Sequence, residues 1–127
     1  MKKIDSENYI MVIHDDLLLE FLVKKDAVLN DKDMWESKKE AENYLPEKKF
    51  YVLLGGEEFF QVTKEAREIA ASDEFSGHLA AVALFSTELS LKILGNLYIK
   101  INKPTIPTRF FNNKKKAMEW IREIMKK

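Results

Sequence analysis

The residues best able to do chemistry are few and widely separated. His14 and His78 are the two histidines of the chain. Each falls beside a predicted strand end, and neither has the i, i+4 partner that a helical metal site needs. They read as ordinary surface or hydrogen-bonded histidines unless the fold brings them together as a chelating pair. No cysteine is present, which removes disulfides, thiolate catalysis and cysteine-based zinc sites together. Gly55-Gly56 lacks the further spaced glycines and the Lys-Ser/Thr of a phosphate loop, and Glu57-Glu58 would repel an anion there. The pair reads as a flexible strand exit. There is no G-x-S-x-G elbow and no Ser-His-acid ordering. We therefore expect no catalytic residue, no metal and no cofactor. Lys114-Lys115-Lys116 precedes an amphipathic helix; it reads as a solvated helix face, with a membrane-surface patch as the alternative.

Glu57, Glu58, Phe59, Phe60, Gln61, Val62 and Thr63 form the segment with most to offer. They join a predicted strand to a helix start, and crevices at strand C-terminal ends are where open α/β sheets take their ligands. The two adjacent phenylalanines are either core residues or aromatic anchors for a partner. Thr63 is placed as a helix N-cap. Glu57, Glu58, Phe59, Phe60, Gln61 and Thr63 are accordingly the expected partner-binding surface.

The elements that must position these residues follow from local pattern. Tyr9 to His14 is β-branched and aromatic, Asp15-Asp16 is a turn signal, and Leu17 to Val23 is a second apolar run. So short a link predicts an antiparallel hairpin whose first strand lies at or near a sheet edge. Asn30-Asp31-Lys32-Asp33 starts a helix with Met34, Ala41, Tyr44 and Leu45 on its apolar side, stopped by Pro46. Phe50 to Leu54 is a strand, Thr63 to about Ala71 a helix, and Leu79 to Phe85 a strand apolar enough to be buried on both faces. Ser86-Thr87-Glu88 opens a third helix with Leu91, Leu94, Tyr98 and Ile101 as its stripe and Gly95 at a close approach. After Pro104 and Pro107, Thr108 to Phe111 is a last strand. Asn112 or Asn113 then caps a helix with Ala117, Trp120, Ile121, Ile124 and Met125 on one side. The order β-β-α-β-α-β-α-β-α predicts an α/β fold: a mainly parallel sheet, an N-terminal antiparallel hairpin and about four helices.

The totals bound the rest. A chain of 127 residues fits a single domain over residues 1–127, large enough for one core. Twenty-one basic residues balance 21 acidic ones, which argues against a nucleic-acid partner, since such affinity comes largely from phosphate neutralisation. The first residues are polar where a leader would be apolar, and no apolar run approaches the roughly 18 residues of a membrane span. A cytoplasmic location is expected.

Two family comparisons can be made on these residues. Response-regulator receivers carry paired acids, a phospho-accepting Asp, a Ser or Thr and a Lys-Pro after successive strands. This chain has Asp15-Asp16, Ser86-Thr87 and Lys103-Pro104, but Gly55-Gly56 stands where the acceptor would be. The layout instead resembles the SpoIIAA-like fold, the STAS and Sec14-like group of bacterial domains. The resemblance rests on the hairpin start, the strand–loop–helix at Tyr51 to Ala71, and the Ala80-Ala81-Val82-Ala83-Leu84-Phe85-Ser86 strand. Pro107-Thr108-Arg109-Phe110-Phe111, followed by Ala117-Met118-Glu119-Trp120-Ile121, completes it. It implies a non-enzymatic regulatory or protein-binding module. STAS antagonists of anti-sigma factors open the second helix with an Asp-Ser-Ser-Gly-like motif carrying a phosphorylated Ser. Here the stretch reads Gln61-Val62-Thr63-Lys64, so Thr63 alone retains a hydroxyl. The alternatives are a carrier of a small apolar, lipid-like ligand and an enzyme with an unrecognised site. Since no acceptor Asp follows the third predicted strand, acetyl phosphate with magnesium should leave the mass of the protein unchanged. An acid-labile gain of one phosphoryl group on any Asp would restore the receiver reading.

Overall fold

The structure, a computed structural model, describes residues 1–45 and 49–127. Its frame is a six-stranded sheet of order β1-β2-β3-β5-β7-β8. β2 (Tyr9–Ile13) buries Tyr9, Met11 and Ile13 on one face, and β3 (Leu18–Val23) pairs with it antiparallel from Tyr9↔Val23 to Ile13↔Leu19. The hairpin closes through the His14 N–H donating to the Leu18 carbonyl at 2.8 Å. Leu17 in that turn takes φ 72°, a left-handed conformation costly for a branched side chain. From there the sheet is parallel: β3 to β5 (Phe50–Gly56), β5 to β7 (Leu79–Ser86), β7 to β8 (Thr108–Phe111).

Local capping sets the helices. In α1 (Asp31–Tyr44), Asn30 Oδ1 accepts from the Asp33 N–H at 3.0 Å and Asp33 Oδ2 accepts from the Asn30 N–H at 3.1 Å, a reciprocal capping box. Thr63 caps α2 (Lys64–Ala71) and Asn113 caps α5 (Lys114–Met125). α1, α2 and α4 (Leu89–Asn102) cover one face of the sheet; α5 alone covers the other.

Several expectations are corrected. Lys2–Asp5 forms an additional edge strand, β1, antiparallel to β2; the hairpin's first strand is therefore next to the edge, near it as expected, rather than at it. A mostly polar segment can do this because an edge strand needs only its backbone for pairing, and its lysines discourage further pairing. Val28–Leu29 (β4) and Gln61–Val62 (β6) make a separate two-stranded parallel ladder, too short to leave a sequence pattern. A one-turn α3 (Asp73–Ser76) brings the helices among the described residues to five.

Gly55 and Gly56 are not a flexible exit. They lie within β5, and a Cβ at Gly55 would stand 2.1 Å from the Phe85 carbonyl oxygen, while one at Gly56 would stand 2.9 Å from that of Val23. Glycine is needed because neighbouring strands press on the backbone. Tyr44 and Ile101 are exposed at 45% and 68%. In α4 the inward row runs through Leu91, Leu94 and Tyr98, and the next inward position is Asn102, which carries Ile101 off the face. The Pro46 helix stop lies outside the described residues.

The expected close approach at Gly95 is present: a Cβ there would sit 2.4 Å from the Phe110 ring. On α5, Ala117 and Ile121 are fully buried, while Trp120 is half-buried against Phe111 at 5.6 Å between ring centroids. Ile121→Ala should therefore cost about 3–4 kcal/mol, and more than Trp120→Ala. Urea unfolding of the two variants checks this order; a larger loss at Trp120 would contradict the packing.

Candidate functional site

The side chains facing α1, α2 and α4 do not fill the space beneath those helices. A cavity of about 140 Å³ remains. Strand alternation builds its floor: Val52 and Leu54 of β5 and Val82 and Leu84 of β7 point the same way. Met34 of α1, Ala66 of α2 and Leu91 of α4 line its roof. Among the described residues, the basic groups on its lining are Lys38, Arg67 and His78, and no Asp or Glu lines it. Arg67 Nη1 donates to the Val62 carbonyl at 2.6 Å. Lys38 Nζ lies 3.0 Å from Glu42 Oε1 and His78 Nε2 lies 3.6 Å from Glu42 Oε2, so one carboxylate behind the lining holds two of the bases. Tyr98 lines the cavity, and burial pushes its hydroxyl up to about 12. It stays protonated, a neutral donor.

The segment from Glu57 to Thr63 lies beside this cavity. Its two phenylalanines part company: Phe60 is 4% exposed and lines the cavity, whereas Phe59 is 39% exposed. Phe59 and Gln61 border α4 at Ser90 and Leu94. Glu57 and Glu58 are exposed; the Glu57 carbonyl accepts from Thr87 Oγ1 at 3.0 Å, and Glu58 lies 3.5 Å from Lys25. Thr63 is half-buried, and its Oγ1 accepts from the Ala66 N–H at 3.1 Å.

A polar cluster on the opposite, α5 face escaped the sequence reading. Glu20, within an otherwise apolar strand, is 7% exposed. His14 Nε2 is 2.6 Å from its Oε2, and Lys114 Nζ is 2.7 Å from its Oε1 at an angle short of a hydrogen bond. Burial acts to raise the Glu20 carboxyl, but Lys114 and His14 outweigh it and hold the group below the ordinary range. Arg122 pairs with Asp16, and the terminal amine with Asp15 at 2.9 Å. The signal available in sequence was a lone acid between Leu19 and Phe21. This cluster also explains Lys114 at the start of α5, against the helix dipole: it is the counter-ion of a buried carboxylate. His14 and His78 pair with different acids on opposite faces of the sheet, so the fold does not join them as a chelating pair.

A mixed sheet with an N-terminal antiparallel hairpin, sandwiched between helices, is the SpoIIAA-like class of α/β domain. The same fold occurs in an uncharacterized protein of the DUF3478 family from Shewanella loihica PV-4, described as SpoIIAA-like. The match has a TM-score of 0.66 at 16% identity, covering 93% of this chain and 98% of that one. A protein of unknown function from Arthrobacter sp. FB24 matches at 16% identity over 88% of this chain and 97% of its own, with a TM-score of 0.29. The chain belongs to the family described as domain of unknown function DUF7793, whose profile matches residues 11–125. No curated protein matches it. Among the described residues no helix is long and apolar enough to cross a membrane.

The Glu20 cluster has a pH signature. A carboxyl held below its ordinary 4.5 stabilises the fold above that value, and the contribution is lost as pH falls through the depressed folded-state value. Glu20→Gln should be less stable than the parent at neutral pH, with the gap closing on acidification below about 4.5. Urea midpoints across that range measure it, and a gap independent of pH would contradict the assignment.

Proposed function

We propose that the protein is a non-enzymatic binding module whose ligand is a small apolar molecule held between the sheet and α1, α2 and α4. The cavity carries this reading. An apolar void of roughly 150 Å³ is known to stay dry and to take up a benzene-sized guest, and this one is of that size, about 140 Å³. It is small beside the roughly 300–1,000 Å³ of sites for drug-sized ligands. A single ring or a short acyl chain fits; a whole lipid does not. With bases and, among the described residues, no acid on the lining, a ligand ending in a carboxylate suits the site better than one ending in an amine.

A regulatory role through protein contacts is the second reading, supported by Glu57, Glu58 and Phe59 standing exposed side by side. In that case Glu57, Glu58, Phe59, Gln61 and Thr63 meet the partner, and Phe60 anchors the segment to the core.

Benzene and hexanoate are suitable probes for the cavity. Either should raise the melting temperature with ligand concentration, as binding to the folded state alone requires. Ala70→Leu adds bulk to the lining; it should remain folded and lose the shift. No shift with either probe, or an equal shift in the Ala70→Leu variant, would refute the cavity reading.

A further inference from the structure

The outer side of α4 carries a second pattern, independent of the cavity. Leu89, Ile93, Leu97 and Ile101 are exposed at 70%, 53%, 44% and 68%. They follow one another at i+4, the spacing of a single surface ridge. Glu88, Lys92, Asn96 and Lys100 form the adjacent row at the same spacing, followed by Lys103 at the C-cap. An apolar ridge on a helix whose opposite side already packs into the core has no role within the monomer.

We propose that this face of α4 is an isologous interface with a second copy of the chain, the two helices lying antiparallel about a two-fold axis near Gly95 and Asn96. The sequence of the ridge supports that partner. Its four positions are symmetric about Gly95, so reversal brings Leu89 to the partner's Ile101 and Ile93 to the partner's Leu97. The neighbouring row is also self-complementary at its ends. An antiparallel two-fold keeps both rows on one edge, setting Glu88 beside the partner's Lys103 and Asn96 beside the partner's Asn96, with the partner's Lys100 next to Lys92. An anionic membrane would attract the lysines but meet Glu88 on the same row. At these exposures the ridge leaves roughly 450 Å² of apolar surface, over half of the roughly 800 Å² each partner buries in a standard interface. Phe59, beside Ser90 and Leu94, extends the apolar side. A zero net charge adds no long-range repulsion between copies.

The chain has no cysteine, so single introduced cysteines report the geometry. Light scattering and sedimentation should show a dimer that dissociates on dilution. Ile93→Glu/Ile101→Glu, melting like the parent at dilutions where both are monomeric, should weaken it roughly a hundredfold. Asn96→Cys should cross-link to itself under mild oxidation, whereas Leu89→Cys alone should not, since reversal sets its copies about 18 Å apart along the helix. Glu88→Lys and Lys103→Glu should each weaken self-association, and the two variants mixed should pair with each other. A monomer at about 100 µM would overturn the proposal, as would a dimer indifferent to the Ile93/Ile101 change, cross-linking at Leu89→Cys alone, or no pairing of the charge variants. Sedimentation of a monomer with phosphatidylserine vesicles, lost in Ile93→Glu/Ile101→Glu, would reassign the face to membranes and likewise overturn it.

Discussion

Strand β7 must bury both faces with one eight-residue sequence, and the organisation of the protein follows from how it does so. Ala81 and Ala83 face α5 and meet Ala117, so small side chains let helix and sheet come together without a gap. Val82 and Leu84 face the other way, where three helices must share the cover. A single helix can lie flush on a row of alanines. Three helices held by different loops cannot all do so against branched side chains. The cavity lies on that second side.

The register of the sheet enforces this division. Between Phe50↔Leu79 and Tyr51↔Ala81 the pairing skips Ala80. That irregularity turns Leu79 to the same side as Phe50 and leaves Ala81 and Ala83 for α5. Without the extra residue the face assignments at the start of β7 would be inverted. Gly55 completes the arrangement, because any side chain there would push against the carbonyl and ring of Phe85. The packing of the middle of the sheet therefore depends on one skipped residue and one absent side chain.

Charge is distributed with the same asymmetry. The α5 face holds a buried carboxylate, Glu20, ringed by His14 and Lys114. The cavity side has bases on its lining and keeps Glu42 behind them. The charge of the first face is paired internally, Glu20 with His14 and Lys114, and that pairing fixes the start of α5. On the second face charge surrounds an unfilled apolar space, which is why a functional reading attaches there.

The SpoIIAA-like fold was implied by the resemblance of the whole layout; the α/β alternation, the hairpin, the strands and the caps at Asn30, Thr63 and Asn112 or Asn113 were legible from local pattern. Each depends on neighbours within a few residues or on a repeat of two or of 3.6. The close approach at Gly95 was legible too, since glycine in mid-helix has few other reasons. The additional edge strand β1 was not, because backbone pairing needs no side-chain pattern. Nor could the segment from Glu57 to Thr63 reveal that Phe60 is buried while Phe59 is exposed; adjacent aromatics look alike until β6 pairs with β4 and turns them apart. Gly55-Gly56 looked like a loop and proved to be a tight strand contact, because what presses on it comes from Val23 and Phe85, remote in the chain. The cavity, the Glu20 cluster and the outward ridge of α4 were decided by tertiary structure alone. Each depends on which side of an element the rest of the molecule covers, and the chain fixes that only when the helices settle on the sheet.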